Sequence, residues 1–162
     1  MCKRSVRCLA VALSLSVVCI VAAWAQESVL KTRMTVPKGS DIDQSVSLQA
    51  LVAQSGKNDW SSMKAATLQG YVRQVEKDDD GDVVIFLAGK ADDTDTKNWV
   101  VAEVPPGWQG KNQDLTEKSL RGLLLKHVKV TGWLFYDSNP GEDPSRGTPW
   151  EIHPVTSITR LQ

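Results

Sequence analysis

Apolar and polar positions alternate most regularly towards the C-terminal end of the chain. Across His127–Asp137 (HVKVTGWLFYD), Val128, Val130, Gly132 and Leu134 fall on one face of an extended strand. His127, Lys129, Thr131, Trp133 and Phe135 fall on the other. A turn-rich loop, SNPGEDPSRGT, leads into a second run, Pro149–Ile158 (PWEIHPVTSI). Here Trp150 and Ile152 share one face, and Glu151 and His153 the other. Pro154 has no backbone N–H to donate, which predicts an edge position or a bulge.

Three more strands are predicted upstream. Leu68–Lys77 (LQGYVRQVEK) interleaves Val and Tyr with polar residues. The run Asp78-Asp79-Asp80-Gly81-Asp82 follows, and Asp-Gly between apolar runs is a strong hairpin signal. Val83–Ala88 (VVIFLA) is apolar throughout, as a central strand is. A polar loop, Gly89–Lys97, precedes a third strand at Asn98–Val104, which Pro105-Pro106-Gly107 ends. The spacing of Leu120, Leu123 and Leu124 predicts a helix over Leu115–Leu125, capped by Thr116 and shortened by Gly122.

The N-terminal part follows other rules. Lys3, Arg4 and Arg7 precede an apolar run from Cys8 to Ala23, and Ala23-Trp24-Ala25 offers small residues at a cleavage site. This is the pattern of a secretory signal peptide over residues 1–25. The apolar run is shorter than the roughly 20 residues of a spanning helix, so an uncleaved anchor is the weaker reading. All three cysteines, Cys2, Cys8 and Cys19, lie in this segment. The processed chain therefore has no disulfide, thiolate metal site or cysteine nucleophile. Its expected location is periplasmic or secreted, with no membrane span after cleavage. Removing the three leader cations turns a balance of 19 basic and 19 acidic residues into an acidic excess. Nucleic-acid binders usually carry the opposite sign.

Residues 26–62 are weakly patterned, with helix-like spacing at Val46–Val52. They read either as an extension with a helical turn or two or as a flexible leader. Residues 63–162 form the barrel domain.

Three strands, a helix and two strands, joined by short hairpins, close most naturally into a five-stranded barrel. The expected class is mainly β: an oligonucleotide/oligosaccharide-binding (OB)-like barrel with one helix between strands 3 and 4, plus the N-terminal extension. The runs VTGWL (Val130–Leu134) and WEIHPV (Trp150–Val155), with GYVRQVEK and WVVAEVPPG upstream, resemble a group of exported bacterial proteins. These have a single OB-like domain and no assigned activity. The resemblance covers about Thr67 to Leu161. It implies a fold and an exported setting, and it brings no catalytic residues.

The candidate chemistry is sparse. The acidic run Asp78–Asp82 lacks the final carboxylate of a calcium loop and reads as a solvated hairpin tip. Glu151 and His153, two apart on one face, could be an acid/base pair or half of a metal site. His127 is the other histidine, and it approaches His153 only if the last two strands pair in a suitable register. The structural alternative gives Glu151 to Arg146, Arg160 or solvent. Trp133 and Phe135 could stack bases or sugars. Otherwise the extension, with its own Trp60, covers them. The hairpin rims carry Asp78, Asp79, Asp80, Asp82, Asp137, Glu142 and Asp143, the wrong sign for phosphate.

No phosphate-cradling loop or nucleophile elbow occurs. The expected ligand-contacting residues are Trp133, Phe135, Glu151 and His153, with no catalytic residue, metal or cofactor. The expected role is a non-catalytic binding or envelope-interaction module with a protein or small polymeric partner, nucleic acid being disfavoured. An oligonucleotide or oligosaccharide binder and a metal-dependent hydrolase are the alternatives.

Overall fold

The computed structural model describes residues 29–138 and 146–162. The leader of residues 1–25, Glu142 and Asp143 lie outside them. Arg33–Gln162 forms one unit, and Met1–Thr32 another, of which only 29–32 is described.

Five strands build the larger unit: β1 (Ala65–Lys77), β2 (Val83–Ala88), β3 (Val100–Val104), β4 (His127–Tyr136) and β5 (Trp150–Arg160). They close into a barrel in the order β1-β2-β3-β5-β4, with β4 returning to β1. The expected class holds: mainly β, five strands, OB-like. The length of β1 makes closure possible. Its first half pairs with β4 from Ala65↔Trp133 to Tyr71↔His127, and its second half pairs with β2 from Tyr71↔Ala88 to Lys77↔Val83. A register shift between Val72 and Gln74 bends it between the two partners.

The predicted hairpin forms where Asp-Gly stands. Gly81 has φ 93, a left-handed conformation glycine adopts without steric cost, and the Asp78 amide donates to the Asp82 carbonyl at 2.9 Å. Pro154 marks a bulge rather than an edge. Gly132 pairs with Val155 while Leu134 pairs with Ile152, so β5 carries an extra residue there. Gly132 is required beneath it, because a Cβ would lie 2.5 Å from Ile152 Cγ2.

The inward faces form one core, which includes Leu68, Val72, Ile85, Leu87, Val130, Leu134 and Ile152. Burying each such side chain contributes roughly 1.5–3 kcal/mol. Helix α1 (Leu48–Ala53) adds Leu48 and Leu51, with Ser47 Oγ capping the Ala50 amide at 3.1 Å.

Between β3 and β4 the expected single helix is split. Helix α2 (Pro106–Gln109), a 3-10 turn at Gln113–Leu115 and helix α3 (Glu117–Arg121) replace the continuous Leu115–Leu125. Thr116 caps α3 as its position predicts, accepting from the Ser119 amide, and Gly122 ends it. Leu124 is therefore exposed instead of sharing the buried face of Leu120. Strand β3 starts two residues later than expected, because Thr96–Asn98 forms a 3-10 turn capped by Asp95.

The extension from Arg33 onward packs on the barrel. Three indole N–H groups donate to its carbonyls: Trp108 to Arg33 at 3.0 Å, Trp133 to Thr35 at 2.7 Å and Trp150 to Gly56 at 2.9 Å. The flexible-leader reading does not hold for residues 33–62. Trp60 does not serve as the cover over Trp133. Its own N–H goes to the Gln54 carbonyl, and Arg33 and Thr35 lie against Trp133.

Candidate functional site

Strand pairing brings together side chains from distant parts of the sequence. Ala102 on β3 pairs in parallel with Ile152 on β5. Both point into the core, so their neighbours Glu103, Glu151 and His153 share the outer face. Glu103 also pairs with Val84 on β2, and Asp82 lies two residues before Val84 on that same face. The backbone alone thus gathers Asp82, Glu103, Glu151 and His153.

His153 is the centre of this group, with 2% of its surface exposed. Its Nδ1 stands 2.6 Å from Glu103 Oε2 and 3.3 Å from Glu151 Oε1, and its Nε2 stands 3.6 Å from Asp82 Oδ2. Neither contact at Nδ1 aligns as a hydrogen bond, and Glu151 Oε1 also lacks one. At 2.6 Å the Glu103 carboxylate is still close enough to hold a proton on Nδ1, and both acids favour the charged imidazole. The other Glu151 oxygen accepts from Arg146 Nη1 at 2.9 Å, and Arg146 Nη2 donates to Asp137. The Phe135 ring packs 5.7 Å from the imidazole.

Burial opposes charge on the imidazole, yet Glu103 and Glu151 outweigh it and push the His153 pKa up to about 9. Burial raises the Glu151 carboxyl, and the nearby Glu103 charge adds to this, against His153 and Arg146. Asp78, at the base of the hairpin, is also raised by burial first and by neighbouring acids second, Glu103 among them. Burial lowers the Arg146 pKa, but the Asp137 and Glu151 carboxylates prevail and raise it.

Such a cluster can act as a buried ionic clip or hold a cation. Asp82, Glu103 and His153 each offer one ligand atom, all within 4.8 Å of one another. Acid/base catalysis is a poor fit. A general base must reach the proton it moves, and His153 is closed off from solvent.

Of the residues singled out from sequence, Phe135, Glu151 and His153 come together. Trp133 is 9% exposed beneath the Arg33 guanidinium, 4.1 Å from its ring centre. His127 does not join them: it stacks on Tyr71 at 4.7 Å, far along β4 from the bulge. Asp82 is not part of a solvated tip, since it is buried against His153. The pairing of Arg146 with Glu151 was one of the foreseen options. Glu103 was missed; its signal was a lone acid in the apolar run WVVAEV.

The outer face of β2 and β3 is occupied as well. Val84, Phe86, Ala88, Trp99 and Val101 form a second apolar cluster, with the Phe86 and Trp99 rings 6.1 Å apart. The loop before β3 folds over this face, and its Asp93 carbonyl accepts from Trp99 Nε1 at 3.3 Å.

No protein-family model matches the chain, and no curated protein sequence does. Solved structures with a similar backbone include Entamoeba histolytica asparaginyl-tRNA synthetase in complex with asparaginyl-adenylate, at 13% identity, 64% of this chain and TM-score 0.44. The same synthetase in a second structure gives 15% identity, 64% coverage and TM-score 0.42. A Leishmania major Friedlin protein assigned as an aspartyl-tRNA synthetase gives 14%, 80% and 0.45. The chain spans 22% of the length of each. These likenesses are too slight to bear on function, and the fold rests on the barrel's own strand order.

Proposed function

We propose that the protein is a non-catalytic binding module that works outside the cytoplasm and contacts a partner protein. One observation supports this reading most directly. The outer face of β2 and β3, where OB domains take their strands or sugars, is filled by the chain's own Phe86 and Trp99. The adjoining hairpin is lined by Asp78, Asp79 and Asp80, which repel phosphate. Trp133 and Phe135 are likewise turned to internal contacts, which leaves no open aromatic platform for a base or a sugar among these residues. The setting outside the cytoplasm rests on the leader pattern of residues 1–25.

The test is a pair of binding measurements on the processed chain. In fluorescence anisotropy at low salt, single-stranded DNA and RNA are expected to show no saturable binding. Affinity chromatography on the immobilised protein should retain a specific protein from an envelope extract, with retention little changed by added salt. A dissociation constant of roughly 10⁻⁴–10⁻⁶ M for nucleic acid, weakening steeply with salt, overturns the reading. Fractionation of cells should find the chain outside the cytoplasm with Gln26 at its N-terminus. An unprocessed cytoplasmic chain overturns that part.

A further inference from the structure

We propose that the turn at residues 122–126 docks on an anionic lipid surface. Leu124 and Leu125 enter the boundary between headgroups and acyl chains, and the surrounding lysines and arginines meet the headgroups. The proposal is separate from the partner-protein reading, and the leader pattern bears only on which membrane is met. Contact with a surface is all it needs; among the described residues no helix is long and apolar enough to cross a bilayer.

The turn presents its leucines outwards. Helix α3 ends at Arg121, and the chain reverses into β4 at His127. Leu120 stays in the core and Leu123 packs against it, but Leu124 is 40% exposed and Leu125 59%. Among the described residues the other exposed large apolar side chains, Val29, Met34, Val36 and Met63, are not chain neighbours of one another. Single exposed leucines are ordinary on a soluble domain. Two adjacent ones on a turn make a wedge.

The shape of the turn does not explain them. Leu125 holds φ 60, the left-handed region that disfavours a bulky side chain and suits Asn or Gly. The bonds that hold the turn are made by backbone atoms, which any residue other than proline supplies. The Leu125 amide donates to the Val72 carbonyl at 2.8 Å, the Val72 amide to the Lys126 carbonyl at 3.1 Å and the Lys126 amide to the Leu123 carbonyl at 2.9 Å. Strain kept at an exposed position points to a role for the side chain outside the fold. The same bonds fix the turn to β1, so the leucines are offered at little ordering cost.

The charges around the turn select the partner. From Glu117 to Val130 the chain carries Lys118, Arg121, Lys126 and Lys129 against one acid, Glu117, which Arg121 engages at 2.9 Å. All four cations are exposed, and Lys118, Lys126 and Lys129 form no ion pair among the described residues. Arg160, exposed at the end of β5, lies alongside through its pairing with Val128. Leucines ringed by cations match a surface that is anionic at its headgroups and apolar beneath, and such binding grows with both apolar area and cation number. Nucleic acid would meet the cations and leave the leucines in water. A second copy docked by the same patch would set like charges against each other.

The test is co-sedimentation of the processed chain, which lacks the apolar leader, with two kinds of vesicle. One is equal parts phosphatidylglycerol and phosphatidylcholine, the other phosphatidylcholine alone. At low salt the mixed vesicles are expected to bind at least about tenfold more tightly, since each cation near an anionic surface strengthens binding about fivefold. Leu124→Ser combined with Leu125→Asn should weaken that binding about 10- to 100-fold, because two part-exposed leucines no longer enter the lipid. Asn fits φ 60 better than leucine, so this variant should melt within a few degrees of the unaltered chain. Where it fails to fold by circular dichroism, Lys126→Gln combined with Lys129→Gln replaces it, with a loss of about 10- to 30-fold expected. Absence of binding to the mixed vesicles at low salt overturns the proposal. So does equal binding to both kinds of vesicle, or binding that the folded leucine variant leaves unchanged. A dimer that the leucine substitutions dissolve, found in place of vesicle binding, overturns it as well.

Discussion

Arg146 is the residue on which the outer polar cluster most depends. Its side chain is largely buried and joins Glu151 to Asp137. Removing one member of a buried ion pair leaves the other charge without compensation, at a cost of about 3–5 kcal/mol. Arg146→Ala should therefore lower stability by an amount of that order, read as a shift of the urea midpoint. A shift worth less than about 1 kcal/mol, the level of exposed pairs, would mean the guanidinium is solvated after all. Gly132 makes a second residue-scale test. Gly132→Ala drives a methyl group into Ile152 and the bulge of β5, and overpacking of this kind costs about 1–3 kcal/mol or more. A stability equal to that of the unaltered chain would show that the bulge can retreat.

The element that joins extension to barrel is a set of indoles. Trp108, Trp133 and Trp150 each donate to a carbonyl of residues 33–56, and these acceptors reach them from outside the barrel. A net hydrogen bond contributes about 0.5–1.5 kcal/mol, and a buried donor left unsatisfied costs more. Residues 63–162 expressed alone should thus melt well below the longer chain, because three indoles and the sites of Leu48 and Leu51 are uncovered together. Equal melting temperatures would show that the extension adds no stability. The helix between β3 and β4 teaches a related lesson. Thr116 signalled its start and Gly122 its shortness, yet the leucine spacing carried the expected helix on to Leu125, past its end at Arg121. Leu120, Leu123 and Leu124 follow helical periodicity, but the segment after Gly122 turns, with Leu125 at φ 60 and its amide donating to Val72. A tertiary hydrogen bond to β1 outweighed the local preference.

On the scale of the whole molecule, the barrel and the extension from Arg33 share one core. Cooperative unfolding of such a unit is expected in a single transition, seen alike by tryptophan fluorescence and far-ultraviolet circular dichroism. Two separated transitions would divide the extension from the barrel.

Much of this architecture is legible from sequence because it depends on local chemistry. Alternation along a strand assigns faces, Asp-Gly selects a hairpin, a threonine caps a helix and a proline forces a bulge. Five strands with those turns leave few ways to close. What the linear pattern leaves open is what lies over an outward face. Glu151 and His153 alternate away from the core and look like solvent-facing residues. They are buried because β3 runs parallel to β5 and carries Glu103 alongside, while the hairpin folds Asp82 down upon them. Those contacts join residues up to about half the chain apart. Side-chain periodicity reports only the direction in which a residue points, whereas the company it meets there is decided by chain closure.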